Sequence, residues 1–112
     1  MIDKDAKLLA LRARNARTWA DELERTGEFT AAGLMMRVAR IMETEGLSSG
    51  TYVAALHFTQ EADNAIDQKS VRVRLQGFVD DMCVATRTIC RMVGKPVPNF
   101  ATNNDAINFT LR

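Results

Sequence analysis

Apolar residues recur at intervals of three and four along most of the chain, and this helical pattern is interrupted at a few clear positions. Gly27 follows the first patterned segment, residues 46–50 form a glycine- and serine-rich break, and Gly94 with Pro96 closes the last segment. Glycine just past a helix end, with proline behind it, is a common helix stop. The pattern predicts four helices in an all-α, four-helix bundle-like domain.

The first two predicted helices span about residues 3–25 and 28–45. On the first, the centre of the apolar stripe is formed by Ala13, Ala16 and Ala20, whose small side chains let another helix come close. The second is apolar around most of its circumference, which is typical of a central element or an interface. Its one polar sector contains Gly33, Arg37, Arg40 and Thr44.

The third predicted helix spans about residues 50–67, and the fourth begins after a capping Ser70 and continues to Val93. Candidate N-caps of the third are Ser48, Ser49 and Thr51. The fourth has the most regular stripe in the chain, formed by Val71, Leu75, Phe78, Met82, Ala85, Ile89 and Met92. Gly77 lies inside this helix at a cost of about 1 kcal/mol relative to alanine, so we expect another backbone or a ligand to approach it closely.

Two adjacent acids and two cysteines interrupt the apolar run "GFVDDMCVATRTICRM" of the fourth helix. With about 100° of rotation per residue, Asp80 falls opposite the apolar stripe and Asp81 at its margin. Both acids are therefore expected at the surface, and Arg87 and Arg91 are predicted to share the face of Asp80. Cys83 and Cys90 fall on one flank, about 10.5 Å apart along the axis, too far for a mutual disulfide. We expect them to be half-buried apolar residues.

The chain changes character after the fourth helix, so we divide it into a helical domain at residues 1–95 and an extended C-terminal tail at residues 96–112. The tail is rich in asparagine and proline. At its end Ile107, Phe109 and Leu111 alternate with polar residues, as in a short strand with one apolar face. It can lie in a groove of its own fold, exchange between subunits or pair with a partner.

Composition and charge give no global attraction to nucleic acid or membrane. The chain has 46% hydrophobic residues and a net charge of +1, which suits one domain with a core that needs no metal or disulfide. The N-terminal residues lack the pattern of a signal peptide, and no stretch approaches the length of a membrane-spanning helix. We expect a cytoplasmic protein with reduced cysteines.

Catalytic chemistry is not indicated by any motif. The one histidine, His57, lies on the polar side of the third helix, with Glu61 one turn later. The chain has no paired-cysteine metal motif and no glycine-rich phosphate loop. We expect a protein that is not an enzyme and that uses no cofactor or metal.

Nucleic-acid binding is less expected than protein binding. Arg14 and Arg17 project together from the first helix while Arg12 points elsewhere, and Arg72 and Arg74 also diverge. Neither group forms the continuous basic face that phosphate contacts require. The turn at Gly27 suggests a helix-turn-helix, but the helix after it is mostly apolar where a recognition helix needs polar side chains.

A macromolecular protein partner is the main expectation, together with possible self-association. The methionine-rich second helix either fills the core or provides adaptable interface surface, and arginine is enriched at interface hot spots. The candidate partner-binding residues are Arg14, Arg17, Asp80, Arg87, Arg91, Phe109 and Leu111.

In size, helical character and lack of catalytic motifs, the whole chain resembles small phage-encoded anti-defence inhibitors, in particular the all-helical anti-CRISPR proteins. That resemblance implies a non-enzymatic protein that occludes a host defence complex. Residues 82–100, "MCVATRTICRMVGKPVPNF", also resemble the end of helical phage sponges that sequester cyclic oligonucleotides. The alternative functions are therefore an oligomeric binder of an anionic nucleotide and a small nucleic-acid-binding protein.

Overall fold

The computed structural model describes the backbone of residues 2–98 and the side chains of residues 4–98. Within this range the chain forms α1 (Ile2–Arg25), α2 (Phe29–Glu45), α3 (Ser49–Ala65) and α4 (Lys69–Met92), and it contains no strand. This confirms the predicted all-α, four-helix architecture. The strand predicted at residues 107–111 lies outside the described residues.

Successive helices pack side by side, so α2 and α3 form the middle of the fold. The predicted alanine stripe of α1 is completely covered, with Ala13, Ala16 and Ala20 at most 3% exposed. Met35 and Met42 of α2 are also buried. These two methionines fill the core, as one of the two interpretations of α2 expects, while Met36 and Leu34 are only partly covered.

Two glycines end their helices in the left-handed region. Gly27 has φ 83° and Gly94 has φ 70°. In each case the next residue donates its backbone N–H back to the preceding turn, from Glu28 to the Leu23 carbonyl and from Lys95 to the Cys90 carbonyl, both at 2.8 Å. This is the Schellman arrangement, which satisfies the last carbonyls of the helix.

Of α3 and α4, only α3 begins with a side-chain cap hydrogen bond. Ser48 caps α3 as predicted, because its Oγ accepts a hydrogen bond from the backbone N–H of Thr51 at 3.1 Å. The prediction that Ser70 caps α4 is wrong, since α4 begins at Lys69 and Ser70 lies inside it. Glu28, from the turn between α1 and α2, accepts from the backbone N–H groups of Asp67 and Gln68 at 3.0 and 2.9 Å instead.

Gly77 and the cysteines differ from expectation. No atom lies within 4 Å of the position that a Cβ on Gly77 would occupy, so within the described residues nothing approaches it closely. The reason is its place on the outward face of α4, where it is exposed.

Cys83 and Cys90 are fully buried, at 2% and 0% exposure, where half-burial was predicted. Neither forms a disulfide, and the Cys83 sulfur accepts a hydrogen bond from Gln60 Nε2 at 3.5 Å.

Candidate functional site

Helices α1 and α4 run antiparallel, and two sets of ion pairs bridge the seam between them. Arg12 of α1 pairs with Asp81 of α4 at 2.9 Å, and Glu22 of α1 pairs with Arg74 of α4 at 3.3 Å. Arg74 also lies over the ring of Trp19, 5.8 Å from its centroid. Long side chains therefore connect two helices whose backbones are not in close contact.

On one side of the Arg12–Asp81 pair the seam opens into a groove of about 340 Å³. Its walls come from the first half of α1, the start of α3 and the second half of α4. We call it the α1–α4 groove. It is lined by Asp5, Leu8, Arg12, Leu47, Ser48, Tyr52, Val84, Ala85, Thr88, Ile89, Met92 and Val93.

The apolar stripe of α4 explains why the groove exists. Its first members, such as Leu75 and Met82, are completely buried, but Ile89 is only partly covered and Met92 is 63% exposed. No described helix covers the end of the stripe, so the pattern that is core in the first half of α4 becomes the wall of the groove in the second. Exposed apolar surface of this kind marks interaction sites more often than chance.

Arg12 is the polar centre of the groove. Its Nε and Nη2 donate to the two carboxylate oxygens of Asp81 at 2.9 and 3.2 Å, and its Nη1 donates to the Tyr52 hydroxyl at 3.1 Å. The hydrogen bond to Asp81 raises the pKa of Arg12, so the guanidinium is held in its charged form. Each of its three nitrogens is thus engaged by the protein itself.

Two of the predicted partner-binding residues share one face of α4, as expected. Asp80 and Arg91 are exposed on the outward face of α4, and Asp80 accepts a hydrogen bond from Gln76 Nε2 at 2.9 Å. The prediction that Arg87 shares this solvated face is wrong, because Arg87 is only 9% exposed. It lies on the flank of α4 that also carries Cys83 and Cys90, where the fold covers it.

The remaining predicted residues are separated from this face. Arg14 is exposed on α1. Arg17 connects α1 to α2, since its Nε donates to the Glu43 carboxylate at 2.6 Å and its Nη1 contacts the Met36 sulfur at 3.1 Å. Hydrogen bonding to Arg17 lowers the pKa of Glu43. Phe109 and Leu111 lie outside the described residues.

Several other arginines are also engaged with acids of the same chain. Arg25 and Arg74 share Glu22, and hydrogen bonds from Arg25 and then Arg74 lower the pKa of that carboxyl group. The Nε of Arg72 lies 3.4 Å from Oδ1 of Asp63. Because these positive charges are offset locally, they do not add up to a basic face for a phosphate backbone.

The histidine and cysteine side chains of the described residues, which could act as a base or a nucleophile, lie apart from the groove lining. His57 and Glu61 form an exposed pair at 3.4 Å on α3, the i,i+4 contact that their spacing allows. Cys90 does not line the groove, and burial raises the pKa of its thiol, which disfavours the reactive thiolate. Among the described residues, no three histidine, cysteine or acidic side chains are grouped so that they could hold a metal ion.

Sequence reasoning missed Arg12 and Tyr52, which organise the groove. The helical rotation per residue predicts that Arg12 points away from Arg14 and Arg17. This difference is a usable signal for a contact between helices, because a charged residue at the edge of an apolar stripe often pairs across a helix seam. Tyr52 is buried in the core at 3% exposure, but its hydroxyl accepts a hydrogen bond from Arg12 and so reaches the groove.

No family model, no curated protein and no solved structure matches this chain. Between residues 2 and 98, no helix combines the length and the apolar character that crossing a bilayer requires.

Proposed function

We propose that this chain is a non-enzymatic binding protein that inhibits or adapts a protein partner, and that the α1–α4 groove is its docking site. The observation that carries the proposal is the distribution of exposed apolar side chains. Seven large hydrophobic residues in the described range are strongly exposed, and four of them line this groove: Leu47, Val84, Met92 and Val93. Such clustering distinguishes an interaction surface from ordinary scattered exposure.

The groove favours an apolar protein segment with a basic residue. The charges in its lining are those of Asp5 and Arg12, and Arg12 is already neutralised by Asp81. The remaining charge is the carboxylate of Asp5. An amphipathic helix that places two or three apolar side chains between α1 and α4 and a lysine or arginine near Asp5 complements this surface.

The same charges argue against the anionic-nucleotide alternative at this site. A nucleotide phosphate requires cationic or N–H donors that are available to it, and the donors of Arg12 are directed at Asp81 and Tyr52. Phage anti-defence inhibitors are the protein class whose mode of action fits the proposal. Such a protein occludes a surface of a host complex and needs no chemistry of its own.

Selection from a random peptide library displayed on phage tests the docking site. We expect the immobilised chain to enrich peptides with apolar residues at helical spacing and at least one basic residue. Met92→Lys should abolish their binding, because it puts a cation in the apolar wall. Lysine also suits the last turn of α4, so the fold is preserved.

The matched control is Phe29→Glu, which replaces an exposed apolar residue (69% exposed) at the start of α2, away from the groove. It should bind the selected peptides as the natural chain does. Selection of no peptide, or of peptides that bind the Met92→Lys variant equally well, would overturn the proposal. A rise in melting temperature with added nucleotide would favour the alternative.

A further inference from the structure

The outward face of α4 carries a second exposed stripe that is distinct in composition from the groove. Its members are spaced by three and four residues and are all exposed. They are Val73, Gly77, Asp80, Val84, Thr88 and Arg91. We call them the outer α4 stripe. Val84 and Thr88 also border the groove, but Asp80 and Arg91 do not line it.

The charges on this stripe complement their own copy under a two-fold rotation. Asp80 and Arg91 are eleven residues apart, about 16.5 Å along the helix, with Val84 and Thr88 between them. If a second α4 lies antiparallel with the two-fold axis near Val84 and Thr88, each Asp80 faces the Arg91 of the other copy. The two opposite-charge contacts then form symmetrically, which is the defining feature of an isologous interface.

The centre of the stripe suits the approach of a helix. Val84 is 48% exposed, although most large apolar residues of α4 are buried. Because α4 ends at Met92, two helices related by this axis overlap over about residues 80–92. Val73 and Gly77 lie outside that overlap.

We propose that the outer α4 stripe is a self-association surface, through which two copies of this chain pair their α4 helices antiparallel. The occupant is a second copy because Asp80 and Arg91 are exposed on one face of α4, so an antiparallel α4 of another copy presents the opposite charge to each of them. A partner of a different sequence would not require that symmetry.

Charge exchange within the stripe provides a decisive test. Analytical ultracentrifugation of the natural chain should show a concentration-dependent dimer. Asp80→Arg gives each chain two cations on the stripe, and Arg91→Asp gives each chain two acids. Either single variant places like charges across the axis twice, and should raise the dimer dissociation constant by about 100-fold or more.

Complementation then separates the interface from a general surface effect. An equimolar mixture of the two single variants should form a heterodimer, because every contact across the axis is again between opposite charges. The double variant, with both changes in one chain, should recover the homodimer. Asp21→Arg and Arg40→Asp, at exposed positions on α1 and α2, are the charge-matched controls, and circular dichroism verifies that each variant is helical.

A natural chain that sediments as a monomer at every concentration overturns the proposal. So does a dimer that survives both single changes, or one that is lost in the single variants and restored neither in the mixture nor in the double variant. Because Asp80 and Arg91 lie outside the groove lining, the charge variants leave that lining unchanged. Val84 and Thr88 border both surfaces, so peptide binding is compared in the monomeric single variants.

Discussion

Arg12 and Asp81 form a bidentate pair across the seam between α1 and α4, with hydrogen bonds of 2.9 and 3.2 Å. The same guanidinium donates to the hydroxyl of Tyr52 on α3. The Arg12 side chain is only 17% exposed while that of Asp81 is 46% exposed. One side chain thus sets the relative position of three helices at the closed end of the groove.

A double-mutant cycle on this pair measures its strength. We expect Arg12→Met and Asp81→Asn each to lower the free energy of unfolding, with a coupling of about 1 kcal/mol. Methionine retains the apolar stem of Arg12 and removes the donors. Urea unfolding followed by circular dichroism gives the four values. Tyr52→Phe, which removes only the hydroxyl, should cost less than Arg12→Met, and strictly additive changes would show that the pair contributes nothing.

The contact between Glu28 and the turn before α4 predicts an unusually sensitive glutamate. Glu28 is 7% exposed, and its carboxylate accepts from the backbone N–H groups of Asp67 and Gln68, which immediately precede α4. Glu28→Gln should lower the free energy of unfolding by about 1–2 kcal/mol, since the amide has no charge to strengthen these hydrogen bonds. Its NH2 group also replaces the oxygen that lies 3.3 Å from the Asp67 N–H.

The control for this prediction is Glu24→Gln, an exposed glutamate one turn earlier. We expect its free energy of unfolding to stay within about 0.5 kcal/mol of the natural value. If the two variants unfold at the same urea concentration, the hydrogen bonds to the backbone of α4 contribute no net stability.

Replacing Gly77, inside α4, and Gly94, just past its end, with alanine should change the free energy of unfolding in opposite directions. Gly77 is helical, exposed and without neighbours, so Gly77→Ala should stabilise the monomer by up to about 1 kcal/mol. Gly94 has φ 70°, so Gly94→Ala should destabilise by about 1 kcal/mol, because a Cβ disfavours the left-handed region. Thermal unfolding at low protein concentration gives both signs, and a destabilising Gly77→Ala would contradict the open environment seen here.

The two cysteines should be unreactive in the folded protein. Both are buried, and burial raises the pKa of the Cys90 thiol. We expect slow reaction with Ellman's reagent in native buffer at mildly alkaline pH and fast reaction of both thiols in urea. Rapid labelling of the native chain would mean that α4 opens readily from α3.

The raised pKa of Cys90 also has a consequence for stability. Above the ordinary thiol pKa the unfolded chain loses this proton while the folded chain retains it, so the free energy of unfolding falls as pH increases through that range. The slope should be smaller in Cys90→Ala, which has no thiol at this position. An unchanged slope would assign the alkaline destabilisation to other groups.

The sequence by itself determined the helices and their ends. Local pattern was sufficient because these features depend on interactions between residues about four positions apart or fewer. They are the four segments of periodic apolar residues, the helix stops at Gly27 and Gly94, and the Ser48 cap. It also placed Asp80 and Arg91 correctly on the outward face of α4. The same reasoning failed at Arg87, because residues near the boundary of a stripe become buried or exposed according to how the helix is rotated against its neighbours.

Only the tertiary structure decided which distant residues meet. Glu28 reaches the turn before α4 from a position about forty residues earlier in the chain, whereas the local cap expected at Ser70 does not form. Arg12, Tyr52 and Asp81 converge because α1, α3 and α4 pack in one particular arrangement. The groove arises for the same reason, since a continuous apolar stripe does not reveal where its covering helix ends. Local pattern limits the choices, and the packing of helices against each other selects among them.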